Sequence, residues 1–137
     1  MIGLFEKTKV NDMSFALDTL SVKNNVIARN IANKDTPMYK GTKIVFQEVM
    51  AEYFSSGPDK TLPLKRTHAR HLPIVGDTLD PRTMVRFQNN PSLRNDGNDV
   101  NVDYEMSQQA DTSIRYQLFS DLIGRKFSGL KEIIKTR

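Results

Sequence analysis

The sequence predicts a mainly α-helical chain in which long N- and C-terminal helices pair as a coiled coil around a short proline-rich loop and strand insert. Three observations predict it. Apolar residues recur in steps of three and four near both ends of the chain. Pro63, Pro73, Pro81 and Pro91 punctuate the middle, which therefore cannot hold a long helix. At 137 residues, with 38% apolar residues and no tryptophan, the chain suits one moderate core and not two. The expected organisation is a single unit over 1–137: an N-terminal helix and its ending over 1–40, an insert over 41–96 and a C-terminal helix over 97–137.

The N-terminal helix is expected over residues 9–33. Val10, Met13, Leu17, Leu20, Asn24, Ile27 and Ile31 form the seam of about three heptads. Asn24 alone interrupts the apolar run, and a lone polar residue in a seam fixes register. Asp18, Lys23 and Arg29 flank the seam and are expected on the wet face. The helix stops in "ARNIANKDTPMYKG", where Pro37 biases Thr36 away from helical dihedrals. Asn30 and Asn33 are placed to bond the freed carbonyls or a neighbouring helix, and Tyr39 to pack across the turn.

In the insert, Ile44, Val45, Phe46, Val49, Met50 and Tyr53 fit a short amphipathic helix. "SSGPDKTLP" is a loop signature, and short strands are expected at 72–75 and 83–88. Gly97 then supplies a turn, and Asn101 or Asp103 caps the C-terminal helix. Asp103 and Glu105 in its first turn, with Lys131, Lys135 and Arg137 in its last, suit the helix dipole. One apolar stripe runs through Met106, Tyr116, Ile123, Phe127, Leu130 and Ile134. A second takes Ala110, Ile114, Leu118 and Leu122, and Phe119 widens the arc. The first stripe is expected to pack on the N-terminal seam. The second is left over, which points to assembly between chains.

Twenty basic and sixteen acidic side chains give a net charge of +4, spread thinly along the chain. A nucleic-acid-binding domain concentrates Lys and Arg on one stripe, so no nucleic-acid partner is expected. No cysteine is present, which excludes disulfides, thiolate zinc sites and a cysteine nucleophile. "MIGLFEKTKVNDMSF" lacks the basic, apolar and small-residue order of a cleaved signal, and no run is long and apolar enough to span a bilayer. The expectation is a cytosolic chain, or one exported without a cleaved signal.

Candidate chemical sites are weak. His68 and His71 make an H-x-x-H pair without a third zinc ligand nearby, and Lys65, Arg66 and Arg70 around them read as a solvated basic face. "DGNDVNVD" only partly resembles a calcium loop and reads better as a turn and helix cap. Glu48 and Glu52 share a helix face, as surface carboxylates commonly do. No nucleophile elbow or phosphate-binding loop occurs. No catalytic, metal or cofactor site is expected, and the chain is read as a non-enzyme.

"NVIARNIANKDTPMYKGTKIVF" resembles the N-terminal signature of the flagellar rod and hook family, in which a helix ends in Asn-Ile-Ala-Asn and passes to Thr-Pro-Gly-Tyr-Lys. Asn30, Ile31, Ala32, Asn33, Thr36, Pro37, Tyr39 and Lys40 match it. Asp35, "LPLKRTHARHLP" with His71, "DGNDVNVDYEM" and "RYQLFSDLIGRKFSGLKEII" are similar to the short, proximal rod members. The resemblance spans most of the chain and is weakest over 42–80. One departure is Met38 where the family has Gly. Met disfavours a positive φ, so a type I turn or an extended path is expected there.

The resemblance implies a structural subunit of the flagellar basal body, exported unfolded through the flagellum's own type III apparatus. Such subunits form a hollow helical tube lined by paired terminal helices. Implied partners are further copies, rod proteins of the FlgC type, the basal-body adaptor FliE and the export gate, with no cofactor and no direct membrane span. The competing reading is a cytosolic helical adaptor or chaperone that dimerises through the same heptads.

Overall fold

A computed structural model describes residues 9–55, 79–88 and 94–135. The expected strand at 72–75, both histidines and the basic cluster beside them, and Arg137 lie outside the described residues. Three helices, a two-stranded sheet and one 3-10 turn make up the described part. Helix α1 spans Val10–Ala32, within one residue of the sequence reading at each end. Asp12 in its first turn and Arg29 in its last favour the dipole. The buried hydroxyl of Thr19 is satisfied by donating to the Phe15 carbonyl at 2.9 Å.

After the corner at 33–41, β1 (Thr42–Lys43) leads into α2 (Phe46–Ser55). This short helix buries Val49. It lies along the first half of α1, where Tyr53 stacks on Phe15 with centroids 4.1 Å apart and donates its hydroxyl to Asp12 at 3.1 Å. The 3-10 turn Pro81–Met84 opens with Asp80 Oδ1 accepting from the Arg82 N–H at 2.9 Å. That turn consumes the first residues of the strand expected at 83–88, and β2 keeps only Arg86–Phe87. It pairs antiparallel with β1, Thr42 opposite Phe87 and Lys43 opposite Arg86.

Helix α3 runs over Val102–Lys135. Asn101 caps it, its Oδ1 accepting from the Tyr104 N–H at 3.2 Å. It lies antiparallel to α1, with Glu105 beside Asn30 and Asp111 beside Lys23. At about 1.5 Å per residue, α3 is roughly 51 Å long against 34 Å for α1. Its last dozen residues, roughly 18 Å, therefore run beyond the first residue of α1.

Burial corrects the expected rotation of both helices. On α1 the buried residues are Val10, Ala16, Thr19, Leu20, Val26, Ile27 and Asn30. Met13, Leu17 and Ile31 are half-buried and Asn24 is exposed. Lys23, expected on the wet face, is instead turned inward toward Asp111, 3.8 Å away, with its side chain 12% exposed. On α3 the buried residues are polar, Glu105 and Thr112. The first stripe does not seat on α1 as expected: Met106, Tyr116, Phe127 and Ile134 are exposed, and only Ile123 and Leu130 are half-buried. The reason lies in hydrogen bonding. Docking the Glu105 carboxylate against Asn30 and Gln88 sets the rotation of α3, and the apolar stripes follow from that choice.

Candidate functional site

The corner that ends α1 is a joint built from side-chain amides. Asn30 is fully buried. Its Nδ2 donates to the Thr42 carbonyl at 2.7 Å and its Oδ1 accepts from the Thr42 N–H at 3.0 Å. Gln88 N–H donates to the Gly41 carbonyl at 2.8 Å, so Thr42 occupies the non-hydrogen-bonded position of the β1–β2 ladder. Its backbone groups point away from β2. The Asn30 carboxamide thus takes the place of a third strand. Its Nδ2 also donates to Glu105 Oε1 at 3.0 Å, and Tyr39 donates its hydroxyl to Asn30 Oδ1 at 3.4 Å. Gln88 adds a 2.6 Å bond to the same Glu105 oxygen. One buried carboxylate therefore ties α3 to α1, and to the insert as well.

The second half of the joint is the loop before α3. Asn98, 1% exposed, donates Nδ2 to the carbonyls of Asn33 at 2.9 Å, Lys34 at 3.2 Å and Thr36 at 2.8 Å. These carbonyls belong to the turn that follows α1, beyond the helix's own last residue, Ala32. Its Oδ1 accepts from the Val100 N–H at 2.8 Å, which fixes the amide's orientation. Asp99 Oδ1 accepts from the Gly41 N–H at 2.6 Å, and Lys40 donates to the Gly97 carbonyl at 3.0 Å. Asn33 Nδ2 bonds the Arg29 carbonyl at 2.8 Å, and Thr36 donates its hydroxyl to Asn33 Oδ1 at 3.3 Å. Among the motif residues, Ile31 and Tyr39 are half-buried, whereas Ala32, Thr36, Pro37 and Lys40 are exposed.

Met38 corrects the expected turn. It adopts φ 61, and the Tyr39 N–H bonds the Thr36 carbonyl at 3.4 Å. A positive φ at the third residue after Pro at the second belongs to a type II turn, so Met38 takes the conformation for which the family motif carries Gly. Neighbouring bonds impose it. The Met38 N–H donates to the Asp96 carbonyl at 2.9 Å, and Asn98 holds the Thr36 carbonyl from the other side. Gly97 has φ +75, and a Cβ there would lie 2.6 Å from the Met38 sulfur.

Charge at the site is local. Asp96 bonds the Asn98 N–H at 3.1 Å and Arg94 at 2.8 Å, and the first of these in particular holds its carboxyl below the ordinary range. Burial pushes the Tyr39 phenol up, with the Asp99 and Glu105 carboxylates adding to the rise. Burial lowers the Lys23 ammonium, against the opposing pull of Asp111. Glu48 pairs with Arg86 at 3.5 Å on the surface. Among the described residues, no three His, Cys, Asp or Glu side chains come together as a metal site, and no helix is long and apolar enough to cross a membrane.

The remaining sequence-predicted residues fall on the helices. Val10, Leu20 and Ile27 are in the core, and Met13 and Leu17 at its margin. Ile114 and Leu118 are 69% and 55% exposed. At about 100° per residue they sit roughly 180° to 220° round from Glu105, turned away from α1. Leu122 is half-buried. Sequence reasoning missed Gln88, Asn98, Asp99 and Glu105. For Asn98 and Asp99 the one signal is the crowding of Asn and Asp around Gly97, where side chains serve backbone groups more often than solvent; Gln88 and Glu105 carry none.

A long helical pair closed by an amide-built corner, with apolar side chains turned outward on the longer helix, is a frame without a chemical site among the described residues, as a structural protein of the flagellar rod type requires. The comparisons narrow this further. Flagellar basal body rod protein FlgB of Bacillus subtilis (strain 168) is 33% identical over 133 residues, 97% of each chain. The FlgB proteins of Escherichia coli (strain K12) and Cereibacter sphaeroides (strain ATCC 17029) are 32% and 35% identical over 126 and 120 residues, 88% of each chain in both cases. No family model matches the chain. This chain belongs to the FlgB family of flagellar basal body rod proteins.

Proposed function

We propose that this chain polymerises through its terminal helices into the proximal part of the hollow drive shaft that links the basal body to the hook. Its role is mechanical, and the reading assigns it no catalytic step. Its partners are further copies, rod proteins of the FlgC type, the adaptor FliE and the export gate. It reaches the periplasm-spanning rod by the flagellar export route.

One observation carries the reading: Ile114 and Leu118 stand 69% and 55% exposed, one turn apart, on the side of α3 that faces away from α1. Fully burying such a side chain stabilises by about 1.5–3 kcal/mol, so covering this pair is worth roughly 2–4 kcal/mol per contact. Repeated along a tube, contacts of that size hold a polymer whose single contacts are weak. The joint supports the same reading, because a corner fixed by buried amides has the same angle in every subunit.

Leu118→Glu tests it. The position is exposed, so the isolated protein should keep its helicity and unfolding midpoint, and export should continue. Rod assembly and swimming should be lost. Normal swimming by cells carrying only this variant would remove the stripe from the assembly interface.

A further inference from the structure

We propose that the groove between α1 and α3 receives α3 of a second copy, seated on that copy's Ile114–Leu118 ridge. The inference rests on the rod reading above and adds the surface that accepts the ridge. The groove encloses about 490 Å3, and its lining includes Leu20, Ser21 and Asn24 of α1 and Ser113, Tyr116 and Gln117 of α3. Leu20 and Asn24 belong to the α1 seam and Tyr116 to the first α3 stripe. Two stripes that the sequence pairs with each other thus border an open groove, as they do where a third helix packs on two.

Ridge and groove match in charge. No charged residue lines the groove, in a chain of which 26% of residues are charged. On α3 between Met106 and Ser120 the charged residues are Asp111 and Arg115. These bond each other at 2.8 and 2.9 Å, with Lys23 beside Asp111. Seating the ridge in the groove therefore strips water from no unpaired ion. Of the polar groups in the lining, the Thr112 and Ser113 hydroxyls already bond the Gln108 and Gln109 carbonyls, and depletion of charge marks the centres of interfaces.

The placement of the two surfaces sets the mode of contact. Measured from Glu105, the α3 side of the groove lies at about −20° to 120° and the ridge at about 180° to 220°, their centres about 150° apart. Sectors this far apart do not both face one partner, so a reciprocal dimer leaves one surface bare. A head-to-tail contact buries the ridge of one copy in the groove of the next and leaves a ridge and a groove free to continue the series.

The chain has no cysteine, so introduced thiols are the sole ones available. Ser21→Cys/Leu118→Cys and the gentler Ser21→Cys/Ala110→Cys would each replace the native chain in cells. Purified basal bodies would then be oxidised and run on a denaturing gel. The expected result is a ladder of dimers, trimers and larger species from the double variants, and monomer from every single variant. Monomer alone from both double variants, in basal bodies that contain them, overturns the groove. Dimers from a single variant overturn the head-to-tail mode. Basal bodies that lack the native chain overturn the rod reading itself.

Discussion

Replacing Asn30 tests whether the joint is held by hydrogen bonds or merely filled. In Asn30→Ala the Thr42 N–H loses its 3.0 Å acceptor. The Thr42 carbonyl keeps only the 3.4 Å contact from Gln88, and Glu105 loses one of two amide donors. A buried group left without its partner costs about 1–3 kcal/mol, and a bond to a charged group contributes about 1.5–3 kcal/mol. Allowing for the bonds that survive, a loss of about 3–4 kcal/mol follows, a large share of the 5–15 kcal/mol typical of a domain. Asn30→Asp sharpens the test because it keeps the shape. It removes both donations and sets a second carboxylate about 3 Å from Glu105, a repulsion of roughly 5 kcal/mol at an effective dielectric of 20 if both are charged. Aspartate should therefore be worse than alanine at neutral pH and should recover as acid protonates one of the pair. Urea unfolding of the purified chain, followed by circular dichroism, measures both. A loss under about 1 kcal/mol for alanine, or an aspartate variant as stable as the native chain, would refute the account of the joint.

Other parts of the structure make further predictions. Asn98→Ala takes one donor each from the carbonyls of Asn33, Lys34 and Thr36, which keep bonds from the Thr36 N–H, Arg94 and the Tyr39 N–H, and it leaves the buried Val100 N–H without its acceptor. It should destabilise by about 1–3 kcal/mol in the same assay; an unchanged midpoint would mean water replaces the amide at no cost. Gly97→Ala should cost about 1–2 kcal/mol from its positive φ. The close Met38 sulfur adds little, since that side chain is 75% exposed and can swing aside, so Met38→Ala should not rescue the variant. Asp96 has a folded-state pKa below its ordinary 3.8, so its contribution to stability is present above that pH and is lost as pH falls through the folded value. Asp96→Asn should accordingly flatten the acid limb of the stability curve, and an unchanged limb would contradict the assignment. In the isolated chain, amides near the end of α3, from about residue 124 on, should exchange faster than those over 102–123, because that stretch runs past α1; uniform protection along α3 would contradict this.

Local signals wrote the elements into the sequence, and long-range bonds set their rotation. The ends of α1 were legible because a strong three-and-four pattern runs up to Thr36-Pro37, and the start of α3 because Gly97 and Asn101 mark a turn and a cap. The facing surfaces were not legible. Glu105 bonds a residue 75 positions away, and no periodicity announces that a glutamate will be 2% exposed while Met106 beside it faces solvent. Lys23 misled for the same reason: its inward turn depends on Asp111, which lies on another helix. Met38 misled through propensity, since the preference of methionine against positive φ is worth about 1–2 kcal/mol and bonds from Asp96 and Asn98 on either side outweigh it. The motif residues Asn30 and Asn33 could be read as helix-ending amides. Thr42 and Glu105, the partners of Asn30, emerged only in three dimensions.

The central claim is that this chain is built into the rod. Basal bodies purified from motile cells, stripped with detergent and probed with an antibody against the chain, test it most directly. The account predicts that the protein stays with the stripped rod. A soluble, discrete dimer, absent from that fraction, would contradict it.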